Sequence, residues 1–243
     1  KDLMKDPIVI WQKKHYLTLL LGMNIGLPAF LGFIHGDIIA GLLLGGLLRL
    51  VLSQHVTYLI NSIAHMWGQQ PYSENCSARD NSILAFFTYG EGYHNYHHTF
   101  QWDYRNGIKW WHFDPTKWVI NLLFFAGLAR DLKRCNPVQV EKARLELQYL
   151  KATEKCELFD IPESWRLRLE TEYEQLLQTL QLWTEHRQAW YESKGRQLQQ
   201  NLNSLDQLKL KHGYKEVQYQ LRAQKQRWQH LLRDLAQPCT QLI

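Results

Sequence analysis

Two apolar runs, residues 17–34 and 38–60, stand three residues apart and restrict this chain more than any other feature. The hydrocarbon core of a bilayer is about 30 Å thick, and about 20 helical residues cross it. Each run is close to that length. In lipid every backbone N–H and C=O has to be satisfied within its own segment, so such a run is helical. The intervening His35, Gly36 and Asp37 leave room only for a turn. The expected fold is therefore all-α, with an integral membrane helical hairpin whose two ends lie on one side. Lys13 and Lys14, with the basic residues after the second run, assign that side to the cytoplasm. Pro28 kinks the first run, which a helix bundle tolerates. Arg49, Gln54 and His55 interrupt the second, and Arg49 and His55 read as hydrogen-bonding groups between helices.

Beyond these runs the chain is unlike them. Residues 1–138 hold eight of the eleven histidines, whereas residues 139–243 are rich in Gln, Leu, Glu, Lys and Arg. The expected division is thus a membrane part, 1–138, and a cytoplasmic helical tail, 139–243. Residues 117–129 are strongly apolar but short for a span, which suggests an interfacial or re-entrant helix. In the tail, Tyr173, Leu176, Leu177, Leu180 and Trp183 share a helical face, as do Leu221, Trp228, Leu232 and Leu235. That periodicity predicts a small bundle or coiled-coil hairpin, broken at Pro162, Gly195, Gly213 and Pro238. The net charge of +5 is shared by both parts and is too small to argue for nucleic acid. Cys76, Cys135, Cys156 and Cys239 are scattered, as free thiols in a reducing compartment are.

The chemistry concentrates in Gly90-Glu91-Gly92-Tyr93-His94-Asn95-Tyr96-His97-His98-Thr99-Phe100. His94, His97 and His98 stand at i, i+3 and i+4, on one face of a helix. Imidazoles that close favour a transition metal over protons. Asn61 and His65 are likewise four residues apart. A lone histidine is more often structural, and His112, His186, His212 and His230 take that reading. Zinc competes for histidine sites, but structural zinc usually recruits cysteine as well.

The string GEGYHNYHHTF, followed by Gln101-Trp102-Asp103-Tyr104-Arg105, resembles the third histidine box of the membrane acyl desaturases, closest to their delta-9 (stearoyl-type) branch. Asn61-Ser62-Ile63-Ala64-His65 and Trp111-His112-Phe113-Asp114-Pro115-Thr116-Lys117 are similar to two further elements of that branch. The resemblance covers residues 1 to about 134. The family's two earlier boxes, HxxxxH and HxxHH, do not occur here, so the resemblance implies the carboxy-terminal part of such an enzyme. It implies two irons per complete enzyme, with His65, His94, His97 and His98 as ligands and Asn61 acting through a water. Glu91 is a candidate to orient an imidazole, or a turn residue between two glycines. Thr57 and Tyr58 stand where an acyl tunnel wall is expected. The implied reaction is O2-dependent desaturation of an acyl-CoA or acyl-lipid, with electrons from a separate ferredoxin or b-type cytochrome. A histidine-box hydroxylase of fatty acids or alkanes is the alternative enzyme, and a catalytically incomplete membrane interaction protein the alternative class. The tail has no metal motif and is expected to be dispensable for chemistry.

Overall fold

The computed structural model describes residues 3–197 and 204–240. Among these the chain is helical, and its extended pairings are the isolated bridges Gln69 to Asp80 and Asp80 to Tyr93. It divides into two units. The first comprises residues 1–69, 78–94 and 105–128; the second comprises 70–77, 95–104 and 129–243.

The first unit opens on α1 (Pro7–Lys14). Asp6 caps it by accepting from the Ile8 N–H at 2.8 Å, and Pro7 occupies the first turn, where no backbone donor is needed. The first apolar run forms α2 (Tyr16–Leu21), a π-helical turn (Gly22–Gly26) and α3 (Leu27–His35). Gly36 then takes a left-handed conformation, φ +84°, which a residue with a Cβ adopts at a cost. Asp37 caps α4 (Ile38–Ala40) by accepting from the Ala40 N–H at 2.9 Å. Two residues therefore reverse the chain, as the short spacing required. The second run continues through a π-helical segment (Gly41–Leu48) into α5 (Arg49–Asn61). Its backbone lies so close to the first that a Cβ on Gly41 would stand 2.5 Å from the Pro28 carbonyl.

Both helices, Tyr16–His35 and Ile38–Met66, are long and apolar enough to cross a membrane. Only 11% and 6% of their most apolar stretches are buried within the chain, so lipid or further helices must cover the rest. Two of the polar interruptions are partnered. Arg49 donates through Nε to the Gly45 carbonyl (2.9 Å) and through Nη2 to Asn24 Oδ1 on the other helix. His55 Nδ1 pairs with the Val51 carbonyl of its own helix (2.8 Å). Arg49 thus bonds between the helices as expected, whereas the His55 bond lies within its own helix.

After α5, Ser62 (φ −120°, ψ −75°) breaks the helix before α6 (Ile63–Met66). α7 (Ser82–Phe87) is capped by Asn81, and α8 (His94–Thr99) carries the histidine string. α9 (Pro115–Phe125) occupies the apolar stretch after it; its 11 residues are about 16 Å long, half a span.

In the second unit, α10 (Pro137–Leu158), α11 (Glu163–Gln197) and α12 (Ser204–Thr240) pack as a bundle. Its core comprises Leu145, Leu169, Leu176, Leu180, Leu221, Trp228 and Leu235 among others, with Tyr173, Trp183 and Leu232 against it. Tyr173 meets Trp228 and Trp183 meets Tyr214, so α11 and α12 are antiparallel. Pro162 separates α10 from α11 as its fixed φ predicts. Gly195 and Gly213 do not break helices: α11 runs past the first and α12 past the second. A helical glycine costs only about 1 kcal/mol, which long-range packing outweighs. At Gly213 the missing Cβ also admits the His186 ring, whose nearest atoms would lie 3.2 Å from one. α12 also continues beyond Pro238 to Thr240.

Candidate metal centre

The turn that leads into α8 is built before the histidines begin. Gly90 sits at φ +104°, where a Cβ would be 2.8 Å from Asp114 Oδ1. Asp114 is fully buried and accepts from three backbone N–H groups: Asn106 (3.0 Å) and Gly107 (2.8 Å) through Oδ2, and Lys117 (2.9 Å) through Oδ1. One carboxylate thereby folds the loop after the box around the turn before it. Glu91 strengthens the same join by accepting from the Asn106 amide at 2.9 Å. Tyr93 is buried and stacks on His112, and burial pushes its phenol pKa up. Burial, then the nearby Lys109 and Lys117 charges, push His112 down to about 4, so it is neutral at physiological pH. Lys117 is itself buried, donates to the Gly107 carbonyl at 2.7 Å and has its pKa lowered by burial.

α8 starts at His94, which is 6% exposed. Its Nε2 lies 3.1 Å from Nε2 of His65 on α6, with the rings edge to face at 83°. Metal–imidazole bonds of about 2.0–2.1 Å set two ligands roughly 2.9 Å apart at a right angle and 3.4 Å at a tetrahedral angle. The observed separation falls between. One helical turn beyond His94 comes His98, and ligand atoms of His65, His94 and His98 all lie within 4.8 Å of one another. Three imidazoles at this spacing suit a transition-metal ion such as iron, zinc, copper or nickel. His97 lies outside that group, and its ring meets His98 edge to face at 5.8 Å. Asn61 is exposed at the end of α5, and the Ser62 break removes it from the helical register of His65. Thr57 donates to the Ser53 carbonyl at 2.9 Å, and Tyr58 is 65% exposed.

The non-histidine residues of α8 are the part that spacing alone did not single out. Asn95 is fully buried; its Oδ1 accepts from the Tyr72 N–H (3.0 Å) and its Nδ2 donates to the Ser73 carbonyl (2.7 Å). Tyr96 is 1% exposed and donates to Asp103 Oδ2 at 2.7 Å. The same oxygen accepts from the Cys135 N–H at 2.8 Å. The signal was present: polar residues interleaved with histidines on a short helix must face something other than the metal, and buried polar groups need partners.

Comparison with known proteins agrees with the histidine geometry. A family model described as fatty acid desaturase matches residues 2–124. The chain is similar to acyl-CoA desaturase 1 of Saccharomyces cerevisiae, 40% identical over 155 residues, covering 63% of this chain and 30% of the relative. It is similar to a probable acyl-CoA desaturase of Schizosaccharomyces pombe, 41% identical over 142 residues, covering 58% and 30%. It is also similar to stearoyl-CoA desaturase 5 of Bos taurus, 39% identical over 147 residues, covering 59% and 44%. The chain therefore spans less than half the length of each of these relatives.

Proposed function

The chain belongs to the fatty acid desaturase family, and we propose that it supplies part of the di-iron centre of a membrane acyl-CoA desaturase, most similar to the delta-9 branch. The grouping of His65, His94 and His98 within 4.8 Å carries this reading. His65, His94, His97 and His98 are the protein ligands, Asn61 acts through a water, and Glu91 steadies the turn that aims the box. Iron bound there supplies the oxidising power that an unactivated C–H bond demands. Two hydrogens leave adjacent methylenes of the saturated chain. With O2, two electrons from a separate donor and two protons, they end as two waters and a carbon–carbon double bond.

The chain's own residues have positional work in that reaction. Thr57 and Tyr58, on the helix that leads toward His65, line the path of the acyl chain. Asn95 and Tyr96, both buried and hydrogen-bonded, hold the helix that carries the box imidazoles. The two apolar helices lie in the membrane with both ends cytoplasmic. A cysteine at Asp37 is then labelled only from the side opposite one at Met66, and labelling of both from one side would overturn this topology.

The direct test places residues 1–134 in the corresponding segment of the Saccharomyces cerevisiae acyl-CoA desaturase 1. The chimera is expected to form unsaturated product from saturated acyl-CoA. His65→Ala, His94→Ala, His97→Ala or His98→Ala should each abolish product and lower the iron content. Undiminished product from the His94→Ala chimera would falsify the assignment.

A further inference from the structure

The histidine helix has a second face, and the tail reaches it. We propose that α10, the first helix of the tail, is a brace that positions α8, with Asp103 as its inner latch and Arg144 and Lys151 as its outer one. The proposal's claim on metal binding rests on the function proposed above; its claim on the helix does not.

The inner latch is a single oxygen. Asp103 is 5% exposed, and its Oδ2 takes hydrogen bonds from the Tyr96 hydroxyl on α8 and from the Cys135 N–H, two residues before α10 begins. Hydrogen bonds to an ionised acceptor are about twice as strong as neutral ones. The backbone adds a link beside it, from the Tyr104 N–H to the Lys133 carbonyl at 3.1 Å. Tyr96 lies between His94 and His97 in sequence, so a shift of its ring rotates the whole short helix. A six-residue helix has almost no stability of its own and takes its geometry from such contacts.

The outer latch begins at Tyr72. Its ring packs edge to face on Tyr96 (5.4 Å) and Phe100 (5.8 Å), and its N–H is held by Asn95 of α8. From α10, the Arg144 guanidinium stands 5.4 Å over the Tyr72 ring and donates to its hydroxyl at 3.3 Å. Two residues along, Glu74 pairs with Lys151 of α10 at 2.6 Å. Glu141 ties the brace to the bundle, lying 3.9 Å from Arg144 and 2.8 Å from Lys225 of α12. A continuous set of contacts thus runs from the bundle through α10 and Tyr72 to the helix that bears the histidines. The expectation that the whole tail is dispensable therefore does not extend to α10.

The test uses the full chain in detergent micelles, with Asp103→Leu, Asp103→Asn and the surface pair Arg144→Leu plus Lys151→Leu. Hydrogen exchange of the amides at 94–99 is measured without metal, and cobalt(II) is titrated as the metal probe. Asp103→Leu and the surface pair should each speed exchange at 94–99, by roughly tenfold or more for Asp103→Leu, with residues 82–87 unchanged. Asp103→Asn keeps an acceptor oxygen and should restore most protection. Cobalt affinity should fall about 10- to 100-fold in Asp103→Leu, the range for groups that orient ligands. Circular dichroism of the surface pair verifies that the bundle is intact, since both side chains lie at its periphery. Unchanged exchange at 94–99 in the surface pair and in Asp103→Leu overturns the brace. Faster exchange in a chain whose parent binds no cobalt supports the brace, and the product and iron content of the chimera then decide the metal reading.

Discussion

His112 lies flat on Tyr93, with ring centroids 4.2 Å apart and planes 8° from parallel. This histidine is a packing residue of the loop that follows the box. Its Nδ1 is buried without a hydrogen-bond partner among the described residues, and burial lowers its pKa to about 4. Unfolded, the same imidazole titrates near 6.5. The unfolded chain therefore binds the extra proton between pH 6.5 and 4. His112 contributes its full stability above pH 6.5, loses it as pH falls through that window, and the loss amounts to no more than about 3 kcal/mol. Thermal unfolding of the micelle-bound chain from pH 7 to 4 checks this. His112→Phe should keep the stack and flatten the pH dependence, and an unaltered profile in that variant would assign the pH effect elsewhere.

Asp114 should be the most costly single loss in the loop. Its carboxylate organises three backbone donors and sits beside the buried Lys117 ammonium, whose pKa it raises against the effect of burial. Asp114→Ala leaves those donors without an acceptor and the buried Lys117 ammonium without its counter-charge. The expected destabilisation is about 3–5 kcal/mol, the range for removing one member of a buried charged set. Chemical denaturation followed by tryptophan fluorescence measures it. A loss below about 1 kcal/mol, the range of an ordinary net hydrogen bond, would mean that water replaces the carboxylate.

How much of this was legible in the sequence follows from the range of each interaction. The hairpin was readable because lipid acts on every residue of a span, and a turn of two residues admits few conformations. The box was readable because its three histidines lie within five positions on one helix. The join of His65 to His94 crosses 29 positions, and only the resemblance to the desaturases linked them. Asn61 shows the limit of periodicity: four residues from His65 is one turn in an unbroken helix, and Ser62 ends that helix. Gly213 shows the same limit in the tail, where packing of α12 on α11 overrides a weak local preference. The brace of Asp103, Tyr72 and Arg144 was invisible to spacing, since its members come from three separate stretches of chain.

In the tail, Trp228 is the residue on which the bundle closes. It is 1% exposed, meets Tyr173 of α11, and donates from Nε1 to Gln148 of α10 at 2.9 Å. Trp228→Ala should cost about 3–5 kcal/mol through the cavity left behind. Trp228→Phe should cost less, leaving chiefly the Gln148 amide oxygen to find water. Urea unfolding followed by circular dichroism at helix wavelengths ranks the two. Equal losses would mean that the hydrogen bond, not the volume, holds the three helices together.

The last prediction concerns the polar contact between the two apolar helices. Arg49 donates to Asn24, and Asn24 donates back along its own helix to the Leu20 carbonyl at 2.8 Å. Both residues are 12 positions from the reversal at 36–37, about 18 Å along each helix and so near the middle of a bilayer. A guanidinium there costs about 2.5–3.5 kcal/mol by insertion measurements, which a hydrogen-bonding partner offsets in part. Hydrogen bonds between membrane helices are nonetheless modest, averaging about 0.6 kcal/mol and reaching about 1.7 kcal/mol. The charge on Arg49 and the contact at Nη2 argue for the upper part of that range. A double-mutant cycle of Asn24→Leu and Arg49→Leu in bicelles should therefore give a coupling of about 1–2 kcal/mol. Arg49→Leu alone should be stabilising or neutral, because it removes the buried charge together with its need for a partner, whereas Asn24→Leu alone should destabilise. A coupling near zero would mean that Arg49 takes its acceptor from outside the hairpin.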